Sequence, residues 1–580
     1  MFNKYFYNLS VTILGIVVSV FILTTVGGLF HIPVNPFFVF IPFIGGLYYL
    51  KNQSPENIDF LKQFLILLLI ILFSCVISIH VWDSSFDGRW YHSANLVMLK
   101  NGWLPVYQNY EDFALKCHVY PASAFWGNCY LRFTEIIGAN IYKLTNLIES
   151  AKAVNFIILS AVFMYSFSVL GEFTKSKFIR LISSLIIILN PVCICQWFTN
   201  YIDLHIYFAF TLLVLTIIKI ERRQSTDKTD LFMFVSSGLM LSMTKFTGCM
   251  YLFIVCFTYF IYLLLLKRNI KKYIKTILVT GSLISITAIS PFYTNFRDWG
   301  HPFYPVFGKN AKDVIKENLP YGFENMSKTE KFLRSTFSES VNSMNVDTVK
   351  ALQKPVKLKI PFTIQIKSFL YTFCFPDIRA GGFGYFWSGI LLLSLFYLPF
   401  IRFRNKNERN MFWLIQTMII SSTILNPHCW WARLVPQFWL FPVFIPFFGL
   451  LQQYYKNNLY KNLKLSALYF IIFALIINNL IILSQNAQFS PKVTNAIKMP
   501  YKHIASVKSS DNKILLMIRP DKEKNLLADE TVIPHLEEYF GKDNIIYIPY
   551  DENKIISREY LPVRHIFVIH NSCYFFKINK

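Results

Sequence analysis

The chain has 580 residues, of which 54% are hydrophobic and 16% charged, and its apolar residues fall in blocks of about 17–22 with short polar stretches between them. That excludes an ordinary soluble domain, and 58 Phe with 33 Tyr suit lipid-facing helices and interfacial aromatic belts. The formal charge of +24 does not imply nucleic acid: Lys and Arg collect on cytosolic loops of membrane proteins, and no nucleic-acid-binding motif is present.

Apolar segments lie at about 10–31, 34–50, 60–80, 152–171, 178–195, 203–219, 230–247, 249–266, 276–292, 385–401, 410–426, 434–450 and 465–484, roughly thirteen spans. The first is too long, and lacks the small-residue pattern, for a cleaved signal peptide, so it reads as a retained span. Lys175, Lys177 and Arg180, then Arg222, Arg223 and Lys228, then Lys267 to Lys275, then Arg402 to Arg409 all fall in loops of one parity. The positive-inside rule makes that side cytosolic, with the N-terminus, in a bacterial cytoplasmic (inner) membrane. Loops 81–151, 196–202, 293–384 and 427–433 and the tail after 485 then face outward. The division expected is an N-terminal transmembrane pair (1–59), a transmembrane module with two large outer loops (60–484), and a small α/β segment (485–580). The fold class is an all-α polytopic membrane protein carrying amphipathic outer-loop helices.

In loop 81–151, Trp82, Trp90, Trp103 and Trp126 interleave with polar residues, the pattern of short helices lying at the interface. The densest chemistry follows the third span: Trp82-Asp83-Ser-Ser-Phe-Asp87-Gly-Arg89-Trp-Tyr91-His92. An aspartate in apolar surroundings is a candidate proton acceptor, and an arginine beside it either keeps a carboxylate ionised or binds phosphate; the alternative is a structural Asp–Arg pair. Cys117 and Cys129 share this outer loop, as a disulfide or as two thiols.

A second acid, Asp203, stands in Asn200-Tyr-Ile-Asp203-Leu-His205 at an outer span end, level with Asp87, where a capping role is the alternative. Basic residues on the outer side escape the positive-inside explanation: Lys245, Arg297, His301, Arg379 and Arg433. Phosphate is their natural partner, since guanidinium offers paired donors and lysine a compact charge, with salt bridges to the acids as the alternative. Glycine, proline and aromatics mark ordered turns around these residues, at Gly300-His301-Pro-Phe-Tyr304-Pro, at Gly381-Gly-Phe-Gly384 and at Trp430-Trp-Ala-Arg433. The glycine run could let backbone N–H groups approach an anion, or be a plain turn. Beyond about residue 500, Lys513–Arg519 and Asn544–Pro549 read as strands with a helix near Glu530–Phe540 between them.

In order and sidedness these motifs resemble the GT-C superfamily of membrane glycosyltransferases, which use polyprenyl-linked sugar donors. Asp87-Gly-Arg89-Trp-Tyr91 is similar to the acidic motif of the family's first outer loop, and Asn200-Tyr-Ile-Asp203 to its second acid. Lys245-Phe-Thr-Gly248 resembles the family's lysine segment. Thr294-Asn295 with Gly300-His-Pro-Phe-Tyr-Pro305 resembles its T-N-W…G-N-P-x-Y-P loop, and Arg433 a late arginine. Two additional spans precede the acidic loop, and Gly88 stands where many members carry a second acid.

The resemblance implies transfer of a sugar from a polyprenyl-phosphate donor to a glycan, lipid or protein acceptor at the outer face, without nucleic acid. It implies Asp87 and Asp203 as catalytic carboxylates. Arg89, Tyr91, His92, Lys245, Arg297, His301, Tyr304, Arg379 and Arg433 would bind donor and phosphate. A divalent metal, Mg or Mn, is left open, with Asp87 and Asp83 as its candidate ligands. The alternatives are a polytopic transporter or flippase, and a ligase or polymerase of surface polysaccharide.

Overall fold

The computed structural model describes residues 2–268, 270–309, 311–313, 315, 318–340, 355–364, 373–451, 461–507, 514–518, 531–540, 545–549, 566–569 and 575–577. Among the described residues six helices are long and apolar enough to cross a membrane: Asn3–Leu29, Asn57–His80, Ile148–Leu170, Asp203–Arg223, Phe246–Leu265 and Asn462–Met499. A seventh arises if Lys271–Thr287 and Ile289–Trp299, bent by 63°, count as one span. The bend falls where Pro291 removes a backbone donor from the helical ladder. The protein is a multi-pass helical membrane protein.

The other apolar segments are helical but shorter. Segment 178–195 is two helices, Lys177–Ile188 and Pro191–Gln196. Pro191 pushes Asn190 into an extended conformation, ψ 130°, whose side chain then caps the Val192 amide. Segment 230–247 ends at Thr244, segment 385–401 shrinks to Trp387–Tyr397 before Pro399, and segment 434–450 begins as a 3-10 turn at Pro436.

Burial ranks the helices. Asp203–Arg223 is the central post, its apolar window 94% buried, whereas that of Asn57–His80 is 17% buried and Leu61, Leu65, Leu69 and Leu72 face outward. The first helix is not set apart as half of a separate pair. Its Leu9, Leu14 and Phe21 are at most 1% exposed, and Phe6 and Tyr7 pack on Phe167 and Tyr165 of Ala153–Leu170.

The basic loops meet at one end of the bundle: Arg180 bonds the Asn3 side chain, Arg223 pairs with Glu172, and Arg268 joins Glu221 to Asn407. Asp203 lies at the other end of the central post, 21 residues or about 30 Å away.

At that far end the first outer loop folds into helices Ser93–Lys100, Tyr110–Lys116, Pro121–Cys129 and Phe133–Thr145, around a small core of Leu96, Met98, Trp103, Tyr142 and Ile148. Cys117 and Cys129 are not bridged.

The last membrane helix does not stop near 485 but continues as Lys461–Val507, 47 residues. Beyond it β1 (Ile514–Ile518), β2 (Ile545–Pro549), β3 (Ile566–Ile569) and β4 (Phe575–Lys577) form a sheet in the order β2-β1-β3-β4, antiparallel only between β3 and β4. Helix Val532–Phe540 lies in the chain between β1 and its parallel neighbour β2, where the sequence reading has its helix and two strands; Lys513, Arg519, Glu530 and Asn544 fall outside the described residues. From this helix His535 stacks on Trp82, 3.5 Å between ring centres, and meets Glu149 at 3.1 Å. Thr494 Oγ accepts the Trp82 amide at 3.0 Å.

Candidate active site

Five chain segments converge at the end opposite the basic loops. Asp203 opens the central helix, where the N-terminal end of the helix dipole favours a carboxylate. Gln196 spans the break before it, accepting the Leu204 amide at 3.0 Å and donating to Asp203 Oδ2 at 3.1 Å.

Lys245 is the single residue between helices Lys228–Thr244 and Phe246–Leu265, with extended φ −157° and ψ 150°. So abrupt a reversal needs the two helices in contact, and Gly248 provides this: a Cβ there would sit 1.9 Å from the Leu241 carbonyl oxygen. Lys245 Nζ lies 2.6 Å from Asp203 Oδ1. Gly248→Ala should cost about 1–3 kcal/mol by forcing the helices apart. Thermal unfolding would register the loss.

Asp87 is carried on the loop after Asn57–His80, held by Asp83. One Asp83 oxygen accepts the Ser85 amide and hydroxyl at 2.7 and 2.6 Å, and the other accepts the Asn200 amide at 2.7 Å. The last bond ties the Asp87 loop to the segment that leads into Asp203. Burial raises the Asp83 carboxyl above the usual range, with Lys152 opposing. Gly88 follows from the same packing, since a Cβ would meet Asp83 Oδ2 at 2.4 Å and Ser85 Oγ at 2.1 Å. A second acid has no room there.

The fourth and fifth segments run side by side: the Arg433 amide donates to the Ile378 carbonyl at 3.2 Å, and the Ala432 amide to the Arg379 carbonyl at 3.4 Å. This brings Asp377 to Arg433 across 56 positions of sequence. Arg379 donates twice to Asp377 Oδ2, at 3.1 and 3.0 Å, and twice more to Asn318, while its guanidinium lies over Trp431.

Arg433 stands at the centre. Its Nη1 lies 3.2 Å from Asp87 Oδ2 and 3.5 Å from Asp377 Oδ1, and its Nε is 3.4 Å from Asp203 Oδ2. Tyr201 and Trp431 flank the guanidinium at 4.7 and 5.3 Å. Burial works against its charge, but Asp377, Asp203 and Asp87 hold its pKa well above the ordinary arginine value. Asp203 is 2% exposed; Asp87, Arg433 and Lys245 keep 17%, 12% and 24%. The three exposed groups are therefore the reachable edge of an otherwise closed ion cluster.

Other expected ligands are placed differently. Tyr91 stays near the cluster, beside Tyr130, its hydroxyl pKa raised by burial and then by Asp87. His92 is a buried tie, Nδ1 to Glu135 at 2.6 Å. Arg89 lies toward the C-terminal helix: burial depresses the His535 imidazole, Glu149 opposes, and Arg89 adds to the depression. Arg297 pairs with the adjacent Asp298 at 2.6 and 3.0 Å, and Val106 accepts a third bond from it. His301 accepts the Phe303 amide, and Tyr304 stacks on Trp299 at 4.8 Å, so both shape the loop that Asn295 ties to Cys129. Arg379 braces Asp377. The Gly381 amide donates to the Ser335 carbonyl and is not offered to an anion.

A divalent metal does not fit the residues proposed for it. Asp83 has both oxygens engaged by N–H and O–H donors, and the cation beside Asp87 is Arg433. Among the described residues no group of three or more His, Cys, Asp or Glu is arranged to hold a metal ion.

No family model and no curated protein matches the chain. Solved structures do match, among them ArnT from Cupriavidus metallidurans, crystallised bound to undecaprenyl phosphate, with 11% identity over 82% of this chain and 85% of that one and a TM-score of 0.41. At that score the likeness assigns neither residue nor activity, and the site stands on its own geometry.

Asp377, Gln196, Tyr201 and Trp431 complete the cluster without having been singled out as site residues in the sequence. Asp377 had a signal: an acid two residues before an arginine, just ahead of a glycine run, in an outer loop.

Proposed function

We propose that the protein is a membrane glycosyltransferase that moves a sugar from a polyprenyl-phosphate donor to a hydroxyl of a glycan, lipid or protein acceptor, at the membrane face opposite its basic loops. The observation that supports this most is the reachable edge of the cluster, where a carboxylate and two cations stand together beside the membrane. The acceptor oxygen attacks the anomeric carbon from the side opposite the phosphate, and the carbon–oxygen bond to phosphate breaks. The phosphate leaves with the bonding electrons, the acceptor proton passes to Asp87, and the anomeric configuration inverts.

Charge bookkeeping supports these roles. Asp87, Asp203 and Asp377 balance Lys245, Arg379 and Arg433, so the resting cluster is neutral. When Asp87 takes the acceptor proton it ceases to hold Arg433, and the cluster gains one positive charge as the leaving phosphate gains a negative one. Lys245, the most exposed of the three cations, receives that phosphate, and Arg433 turns the donors released by Asp87 toward it. Asp203 and Asp377 stay ionised and keep both cations in place.

The test is transfer by purified protein in nanodiscs against a panel of polyprenyl-phosphate sugars, with magnesium, with manganese and with EDTA. The expected result is product with at least one donor and an equal rate in EDTA. A rate that collapses in EDTA and returns with either metal would overturn the metal-free scheme. Uptake of labelled substrate into vesicles with no covalent product would replace the enzyme by a transporter.

A further inference from the structure

Outside the acidic cluster, at the same end of the bundle, Arg132 is a buried cation whose surroundings do not neutralise it. The residue is 3% exposed. Its Nη1 donates to the carbonyls of Gly127 and Asn128 at 2.8 and 2.9 Å, its Nη2 donates to the Ser290 hydroxyl, and its guanidinium lies over the Trp103 ring at 5.2 Å. All of these partners are neutral. Among the described residues Glu135 is the carboxylate that acts on it, and it is already engaged by His92 and by the Thr134 hydroxyl.

Lys152, Lys219 and Arg379, buried to a similar degree, each hold a carboxylate within 4 Å. A buried cation without an anion is costly, so the arrangement calls for one from outside the chain. Burial brings the guanidinium down to about 10, with Glu135 opposing, and it remains charged at neutral pH.

Arg132 and Ser290 border a narrow open cleft. Thr24 and Thr25 add hydroxyls, and Gly28, Ile32, Val34, Leu99, Leu104 and Ile136 supply apolar walls. Helix Asn3–Leu29 begins beside Arg180 among the basic loops, so Gly28 lies at the outer end. Phe30, Phe37 and Ile41, next to this end in the chain, are 73%, 68% and 58% exposed and continue the apolar surface. One positive group in an apolar slot fits a ligand with one anionic head and a hydrocarbon chain.

We propose that this cleft is a binding site for a phosphate-bearing lipid, its head on Arg132, Ser290 and the two threonines and its chain along the wall of Gly28, Ile32 and Leu104. Arg132 offers phosphate oxygens charge-assisted hydrogen bonds, and the walls bury the first part of the chain. The cleft shares no lining residue with the Asp87–Arg433 cluster, and its case does not rest on the glycosyl transfer proposed above. Two membrane lipids carry this chemistry, a polyprenyl phosphate and an anionic phospholipid.

Native mass spectrometry of delipidated full-length protein tests the site, with undecaprenyl phosphate, phosphatidylglycerol or diacylglycerol added back. Wild type is expected to retain one phosphate lipid about tenfold or more over diacylglycerol, the preference that charge-assisted hydrogen bonds supply. Preference for the first lipid identifies a prenyl carrier as occupant, and preference for the second a phospholipid.

Arg132→Gln, which keeps hydrogen-bond donors but loses the charge, should abolish the preference. Gly28→Leu should do so without touching Arg132: a Cβ at Gly28 has Leu104 at 3.9 Å, so the larger side chain fits by filling the cleft. Should Arg132→Gln unfold, Gly28→Leu decides. Equal retention of diacylglycerol by wild type, or an undiminished preference in the folded Gly28→Leu variant, would overturn the proposal.

Discussion

Asp87→Asn is expected to lower turnover by about 10²–10⁴-fold, the usual range for losing a positioned proton acceptor, while melting near wild type. Two features make the change mild for the fold. Asp87 is 17% exposed, and the loop around it is held by Asp83, Ser85 and Asn200 through bonds the substitution leaves alone. Asparagine still offers an oxygen to Arg433 Nη1, so the guanidinium is not abandoned. Turnover of one donor sugar and a melting curve, measured side by side, check this; equal turnover in the two proteins would remove Asp87 from the chemistry.

Arg433→Met is the opposite case, with a large loss of stability expected alongside the loss of transfer. Wild type holds Asp87, Asp203 and Asp377 around one guanidinium, and an apolar side chain leaves them facing each other in a nearly closed site. Removing one partner of a buried ion pair typically costs about 3–5 kcal/mol, and here one cation serves three acids. The deficit has a pH signature. Repulsion among the carboxylates fades as they take up protons, so the gap to wild type should narrow as the pH falls toward about 4, the ordinary carboxylate range. Adding Asp87→Asn should recover part of the loss at neutral pH by removing one repelling charge: among the described residues Asp87 pairs with Arg433, whereas Asp203 keeps Lys245 and Asp377 keeps Arg379. Melting temperatures of the wild type, the single and the double variant across pH would show both effects; a deficit that does not vary with pH would mean that packing, not charge, sets it.

Much of the architecture is legible in the sequence because hydrocarbon demands long apolar runs and positive charge marks one side of them. What that pattern does not convey is where a run is cut. Asn190-Pro191, Thr244-Lys245 and Leu398-Pro399 interrupt apolar stretches without changing their mean hydropathy, and two of these interruptions flank the site. Asp203 and Lys245 are readable as neighbours because each ends a span on the same side. Asp377 is not, since it reaches Arg433 through backbone pairing between two loops far apart in the chain. Arg297 pairs locally, with the acid next to it, which the sequence does display. The first helix misleads through its position alone: a leading apolar segment looks like an added anchor, yet Leu14 and Phe21 belong to the common core.

The last membrane helix also decides where this chain can be divided. At 47 residues it is about 70 Å long, more than twice the roughly 30 Å of hydrocarbon in a bilayer, so its second half works as a buttress outside the lipid. Thr494 on that buttress grips the Trp82 amide, and Lys498 lies over the Trp82 ring at 4.8 Å, five residues upstream of Asp87. A truncation drawn at 485, where hydrophobicity fades, would take the brace away from the acidic loop. A cut past Val507 keeps that brace but still removes His535, whose ring stacks on Trp82.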